Sequence, residues 1–354
     1  MSLALRSPYP PMEARLVGEI PSGPGWQYEP KWDGFRCLVF RDGDRVELQS
    51  KSGQSLGRYF PEVVEAALAL RPRRYVLDGE IVIPVGRGSR RAFSFEDLLQ
   101  RIHPAASRVR KLAAQAPALV IVFDLLVDER GRSLVSLSLS ERRRKLEAFA
   151  RHFPDPRFRL SPVTSSVATA RRWLDASGSD VDGIVAKRTG EPYHSGDRQG
   201  MQKVKRLRTA DCVVGGFRYA SGARVVGSLL LGLYDREGRL NHVGFTSGFS
   251  TANRRKLLGI LRPLIRPPGF TGAAPGGPSR WSRSRTGEWV PLAPKVVVEV
   301  QYDRFTGGRF RHGTRFLRWR PDKSPRQCTT DQLPSGTRLV VPFRSPRTAS
   351  GASR

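Results

Sequence analysis

Two segments, YVLDGEIVIP (75–84) and ALVIVFDLLV (118–127), are almost continuously apolar. They are too short to cross a bilayer, which takes about 18 apolar residues or more, and no apolar run in the chain approaches that length. Both read as buried strands, the first stopped by Pro84. Strand and helix patterns alternate around them. WDGFRCLVFRDGDRVELQS (32–50) is two alternating strands joined at Asp42-Gly43, a hairpin signal. PEVVEAALAL (61–70) has helical periodicity, and FSFEDLLQRI (93–102) opens with Ser94 in capping position and Asp97 three residues later. SLSERRRKLEAFARHF (138–153) is a helix begun by Ser138 or Ser140, and VATARRWLDASGS (167–179) one that ends at Gly178. DGIVAKR (182–188) and MQKVKRL (201–207) complete a set of short strands.

The pattern changes near Arg208-Thr209. ADCVVGGFRYA (210–220), RVVGSLLLGLYD (224–235) and RLNHVGFTSGF (239–249) form three alternating strands. One helix follows, TANRRKLLGILRPLI (251–265), then a Pro/Gly/Ser/Arg-rich stretch (267–287), then KVVVEVQYD (295–303) and TRFLRWRPDK (314–323). The spacing predicts an α+β chain: a domain of antiparallel sheets flanked by helices over 1–208, an OB-fold β-barrel of five strands over 209–343, and a disordered basic tail over 344–354.

Charge narrows the function. The chain has 354 residues with 61 Lys+Arg against 32 Asp+Glu, a formal net charge of +29. Residues 209–354 carry a net +17 and the longer 1–208 segment +12, so the C-terminal region is the more electropositive. No basic amphipathic helix stands out, which favours nucleic acid over a membrane as the polyanionic partner. Three widely separated cysteines (Cys37, Cys212, Cys328) and the absence of an evident signal peptide fit a reducing, cytoplasmic setting and no zinc site. The five histidines have no metal-ligand spacing. Only ten of the 61 basic residues are lysines, so each lysine is worth inspecting, because arginine cannot serve as an amine nucleophile.

Lys31 lies in EPKWDGFR (29–36), beside Pro30 and ahead of Asp33, the tight-turning Gly34 and Arg36. A lysine amine attacks phosphorus only when neutral and so needs a desolvated, cation-rich pocket. Lys203 and Lys205 alternate on a strand, which sends both side chains to one face, where they can clamp a phosphate, while Val204 points to the core.

The pattern K-x-D-G-x-R resembles motif I of the covalent nucleotidyltransferases: ATP-dependent DNA ligases, RNA ligases and mRNA-capping guanylyltransferases. SKSG (50–53) resembles motif Ia, with Lys51 where the family usually has arginine. LDGEIV (77–82) resembles motif III, FDLL (123–126) motif IIIa, DGIVAKR motif IV, KVK (203–205) motif V and FLRWRPDK (316–323) motif VI. Tyr193, Gly196 and Arg198 upstream of motif V resemble DNA ligases more than capping enzymes, and the short chain resembles the compact bacterial ligase C type.

The resemblance implies an ATP-grasp-like nucleotidyltransferase domain followed by the OB domain. It implies Lys31 as the nucleophile that forms lysyl-AMP. Glu29 and Phe123 would contact adenine, Glu80 the ribose, and Arg36 and Lys51 the ribose or the nick phosphate. Lys187, Arg198, Lys203 and Lys205 would complete the nucleotide-binding set, and Arg318, Arg320, Asp322 and Lys323 would orient pyrophosphate. Mg²⁺ (or Mn²⁺) falls to Asp182 and Glu80. The family's motif IV acid is normally glutamate, one methylene longer than Asp182, which makes a water-bridged metal contact reasonable. Other readings stay open at this point: Phe123 as a core residue, Lys187 as a strand-end surface residue, Glu29 as a turn acid and RFTGGRFRHGTR (304–315) as a solvated basic loop rather than a stacking and phosphate surface.

The expected activity is ATP-dependent sealing of nicked double-stranded DNA by a monomer in the bacterial nucleoid, with a repair polymerase or end-binding protein as a candidate partner. An RNA ligase or a capping guanylyltransferase is the alternative enzyme. A non-catalytic OB-fold nucleic-acid binder would account for the charge but not for Lys31, Glu80, Lys203 and Lys205 in that order.

Overall fold

The computed structural model describes residues 3–86, 92–153, 156–176, 181–276 and 288–333. The chain divides into two units between Arg206 and Leu207. The sequence-predicted tail, 344–354, and the Gly178 helix end lie outside the described residues.

In the first unit the elements in chain order are β1 (Arg15–Leu16), β2 (Trp26–Trp32), β3 (Phe35–Asp42), β4 (Arg45–Ser50), α1 (Pro61–Ala69), β5 (Arg74–Val82), β6 (Pro84–Val85), β7 (Ala92–Phe93), α2 (Phe95–Gln100), α3 (Ala106–Gln115), β8 (Leu119–Val127), α4 (Leu139–Phe149), β9 (Phe158–Leu160), α5 (Val167–Asp175), β10 (Val181–Arg188) and β11 (Met201–Val204). They build a five-stranded sheet, β4-β3-β5-β8-β9, and a four-stranded sheet, β1-β11-β10-β2. All pairs are antiparallel except β8 with β9 and β1 with β11.

The predicted hairpin forms, with Gly43 at φ 63° in its turn. Ser94 caps α2 by accepting from Asp97 N, and Ser138, not Ser140, caps α4 through a full capping box with Glu141. One face of the five-stranded sheet packs Val39, Leu77, Val120 and Val122 against α1 and α4 residues such as Val63, Ala66, Leu146 and Phe149. The other face sets Leu38, Phe40, Val76 and Leu126 against Met201 and Val185 of the second sheet. That second sheet buries Tyr28, Ile184, Ala186 and Val204 against α5 on its far side. The order is therefore helices, sheet, sheet, helix, and the two sheets face each other.

The second unit contains β12 (Arg208–Ala220), β13 (Ala223–Tyr234), β14 (Leu240–Thr246), α6 (Thr251–Leu261), β15 (Val290–Pro291), β16 (Val297–Tyr302), β17 (Phe305–Thr306), β18 (Arg309–Phe310) and β19 (Arg315–Trp319). Its main sheet runs β14-β13-β12-β16-β19, with β15 pairing β12, around a core that includes Phe217, Leu229, Leu231, Val298 and Val300. Among the described residues the two ends of this curled sheet meet at one bridge, Thr246 with Thr314. Thr314 N donates to Phe245 O (3.1 Å) and Thr246 Oγ1 to Thr314 O (2.9 Å), so the OB-like barrel is drawn together there rather than closed by a paired strand.

One expectation is corrected. The helix predicted over 251–265 stops at Leu261 and tightens into a 3₁₀ turn at Arg262–Leu264, because Pro263 has no N–H for the helical ladder. Within the basic stretch 304–315, β17 and β18 form a small hairpin turning on Gly307 and Gly308, both at positive φ.

Candidate nucleotide and phosphate site

Strand alternation places the chemistry on the inner faces of the first unit. In the four-stranded sheet Lys203, Val185 and Glu29 form one cross-strand row, and Met201, Lys187 and Gln27 the next. On the facing sheet Arg36 lies opposite Glu80 and Leu38 opposite Asp78. Three Asp-Gly steps let these strands approach. A Cβ at Gly34 would sit 2.1 Å from Ile81 O, one at Gly79 2.8 Å from Ile121 O, and one at Gly183 2.1 Å from Val204 O. Gly183 also has φ 136° and lies where the β10–β2 register shifts. Such a bulge re-aims the neighbouring side chain, here Asp182.

Asp182, 8% exposed, is the hub of a lysine cluster. Its Oδ2 accepts from Lys31 Nζ at 2.8 Å and pairs with Lys205 Nζ at 3.0 Å. Burial pushes its carboxyl up, but the charges of Lys31 and Lys205 outweigh this and hold it below the usual carboxylate range. Lys203 has no ion pair among the described residues. Burial and the charges of Lys31, Lys205, Lys51 and Arg198 all lower its amine pKa. An unpaired, half-buried ammonium amid four other cations is a site for an anion.

Next to it lies an aromatic platform with charged walls. The Arg36 guanidinium and the Lys187 ammonium each stand 4.7 Å from the centroid of Phe123. Lys187 Nζ is paired with Glu29 Oε1 at 2.8 Å, both side chains under 10% exposed, and Gln27 Nε2 donates to the same oxygen at 3.0 Å. Arg36 is held by both oxygens of the fully buried Asp78 and donates to Met12 O at 3.2 Å. Tyr193 Oη donates to Asp78 Oδ2 at 2.7 Å and accepts from Met12 N at 2.9 Å. Beneath this network, Arg142 and Asp124 form a second buried ion pair at 2.9 Å.

Glu80 Oε1 accepts from Gly34 N at 3.1 Å. Burial, opposed by Lys31 and Arg36 and reinforced by Asp33, raises its pKa to about 7. Further out, Lys51 and Arg198 converge on Glu13 Oε2, at 3.0 and 3.4 Å. In the second unit Arg320 pairs with Asp211 (2.9 Å) and Asp322 (2.8 Å), Lys323 approaches Asp211 at 3.7 Å, and Arg318 pairs with Glu299 at 2.7 Å.

Residues 13–205 match the ATP dependent DNA ligase domain, and residues 222–323 match the ATP dependent DNA ligase C terminal region. The chain belongs to the ATP-dependent DNA ligases. It is 46% identical to DNA ligase C2 of Mycolicibacterium smegmatis, covering 95% of this chain and 97% of that protein. It is 45% identical to DNA ligase C of Mycobacterium tuberculosis, covering 94% and 96%. A solved structure of a Lig E DNA ligase shares the fold, with a TM-score of 0.56 at 19% identity over 88% of this chain and 99% of its own. A ligase of compact bacterial type thus replaces the capping and RNA-ligase alternatives.

Sequence reasoning missed several residues of this ligase's site. Asp78 stood inside LDGEIV as a strand residue, yet a buried acid in an otherwise apolar strand is itself a signal that a cation lies opposite it. Glu13, Asp211 and Glu299 carried no local signal, because each is defined by partners 19 or more positions away on another strand or turn.

The donor set suits one divalent cation with few protein ligands. The second oxygen of Asp182 has no hydrogen-bond partner among the described residues, which leaves one carboxylate oxygen for a metal otherwise held by phosphate and water. Among the described residues there is no cluster of three or more metal-ligating side chains, so a metal cage built by the protein alone is absent there.

Proposed function

We propose that Lys31 is the nucleophile of strand sealing and that its reaction with ATP uses the lysine cluster around Asp182. The observation that carries this is the pair of lysines, 31 and 205, on one Asp182 oxygen with Lys203 left unpaired beside them. Lys31 gives up its ammonium proton to solvent, and the free amine attacks the α-phosphorus. An N–P bond forms as the P–O bond to pyrophosphate breaks, pyrophosphate leaves, and the nitrogen releases a second proton to solvent to give the lysyl-AMP phosphoramide. Lys203 and Lys205 neutralise the α-phosphate oxygens. Asp182 keeps Lys205 as a partner once Lys31 is committed to phosphorus, so its buried charge is never stranded. Mg²⁺ on Asp182 would add charge neutralisation at the phosphate.

Adenine lies on Phe123 with its 6-amino group donating to Glu29 and its N1 accepting from Lys187, a pairing that guanine's reversed edge opposes. Glu80 bonds the ribose hydroxyls, with Arg36 beside it. Lys51 and Arg198 receive the 5′-phosphate of the nick, to which AMP is then transferred; the 3′-hydroxyl displaces AMP and seals the strand. Arg318, Arg320, Asp322 and Lys323, carried by the second unit, orient the departing pyrophosphate.

Incubation with α-labelled ATP and Mg²⁺ tests the central assignment. The protein should acquire label, and Lys31→Ala should not; label persisting in that variant overturns the assignment. A nick-sealing assay with ATP against GTP and NAD, and with DNA against RNA strands, tests the substrate reading.

A further inference from the structure

Glu13 belongs to none of the residue sets assigned above, yet it sits where Lys51 and Arg198 meet, close enough to the lysine cluster for both cations to act on Lys203. Its Oε2 is the common partner of Lys51 (3.0 Å) and Arg198 (3.4 Å), two cations from separate turns. The position is built rather than incidental. Glu13 N donates to Asp197 O at 2.8 Å, which sets its backbone alongside Arg198. Met12, one residue earlier, is fixed from two sides by Tyr193 Oη and the Arg36 guanidinium. Ser195 Oγ donates to Pro10 O at 2.7 Å, and Gln49 exchanges two hydrogen bonds of 2.7 Å with the Tyr9 backbone. The carboxylate is thus carried on a stitched segment to the point where two cations meet.

Both cations are well exposed, 58% for Lys51 and 68% for Arg198, while Glu13 is 29% exposed. Ion pairs this exposed are weak and readily exchanged. A single carboxylate oxygen held between an ammonium and a guanidinium has the geometry of one phosphate oxygen in the same place. A phosphate monoester brings up to two negative charges and three oxygens where Glu13 brings one charge, so it outcompetes the carboxylate, whereas a 5′-hydroxyl has nothing to exchange.

We propose that Glu13 is a built-in stand-in for the 5′-phosphate of the nick, and that DNA engagement is an exchange in which the phosphate takes Lys51 and Arg198 from it. This inference rests on the assignment of Lys51 and Arg198 to the nick phosphate. Glu13 then competes with the incoming phosphate: it keeps Lys51 and Arg198 paired and in place in the free protein, at a cost in affinity for the phosphorylated nick.

The test measures binding of two nicked duplexes, one with a 5′-phosphate at the nick and one with a 5′-hydroxyl, to the full chain in EDTA, for wild type and Glu13→Gln. Glu13→Gln should bind the phosphorylated nick about tenfold more tightly and the hydroxyl nick less than threefold more tightly. The slope of log affinity against log salt for the phosphorylated nick should steepen by about one, as for one more neutralised phosphate. An unchanged phosphate-to-hydroxyl ratio, or a lower one, overturns the inference, the second by making Glu13 a residue that orients the cations for phosphate. Glu13→Asp, which keeps the charge but is one methylene too short to reach both partners, should lie between wild type and Glu13→Gln. Lys51→Ala and Arg198→Ala separate the two layers: if neither reduces the preference of wild type for the phosphorylated nick, the parent assignment fails whatever Glu13→Gln does.

Discussion

Lys31 and Lys205 address the same oxygen of one carboxylate, Asp182 Oδ2, at 2.8 and 3.0 Å, on opposite sides of a chain bulge at Gly183. A lysine held this way is aimed by a carboxylate that keeps a second partner of its own.

Asp182→Asn should therefore reduce the first chemical step rather than the fold. Loss of the shared charge leaves two ammonium groups without their anchor, and a drop of about a hundredfold in single-turnover labelling with ATP is expected. Far-ultraviolet circular dichroism should be unchanged. Labelling within threefold of wild type rejects the anchoring role.

Phe123→Leu should raise KM for ATP with little change in the rate of label formation at saturation. Stacking of a base on an aromatic ring contributes about 1–3 kcal/mol, which corresponds to roughly a 5- to 150-fold rise in KM. A variant with unaltered KM but a lowered melting temperature would return Phe123 to the core.

Base selection is expected to reside in the Glu29–Lys187 pair. Glu29→Ala removes the acceptor for a 6-amino group and leaves the buried Lys187 without its partner. The ratio of label formation with ATP to that with GTP should fall by at least about tenfold. A ratio that stays put places base selection elsewhere.

Glu80 gives the site a pH signature. Its folded pKa, raised to about 7 by burial, lies above the ordinary glutamate value. The folded state therefore holds a proton that the unfolded chain has released, and stability falls as pH rises between about 4.5 and 7, then levels off. Wild type should lose more of its melting temperature than Glu80→Gln across that window. Parallel curves would show that Glu80 titrates normally.

Asp78→Asn should cost stability more than any other single change in the site. Asp78 is fully buried, and its loss leaves Arg36 with no countercharge and rearranges the Tyr193 contact. Breaking a buried pair in this way costs about 3–5 kcal/mol. Urea denaturation measures it directly, and a loss below about 1 kcal/mol would mean that Arg36 finds another partner.

Much of this was legible before any coordinates. Alternation alone put Lys203 with the inward face and Val204 with the core, and capping serines announced α2 and α4. The ordered motifs brought Lys31, Glu80, Phe123, Asp182, Lys187, Lys203 and Lys205 into one region. The helix α3 went unread because only Val109 and Ala113 of its ten residues are buried, too faint a stripe among its arginines, lysine and alanines. The short strand β9 is three residues long and carries no period to detect. Glu13 and Asp211 were illegible for another reason: an ion pair is a property of two positions, and a linear reading sees one at a time.

The three close-packed glycines set limits on how such a site can diverge. At Gly34, Gly79 and Gly183 even a methyl group would collide with a carbonyl of the neighbouring strand. The spacing of the strands that carry Lys31, Asp182 and Lys203 is thus closed to gradual change. New specificities should arise by exchange of side chains, with the backbone inherited intact.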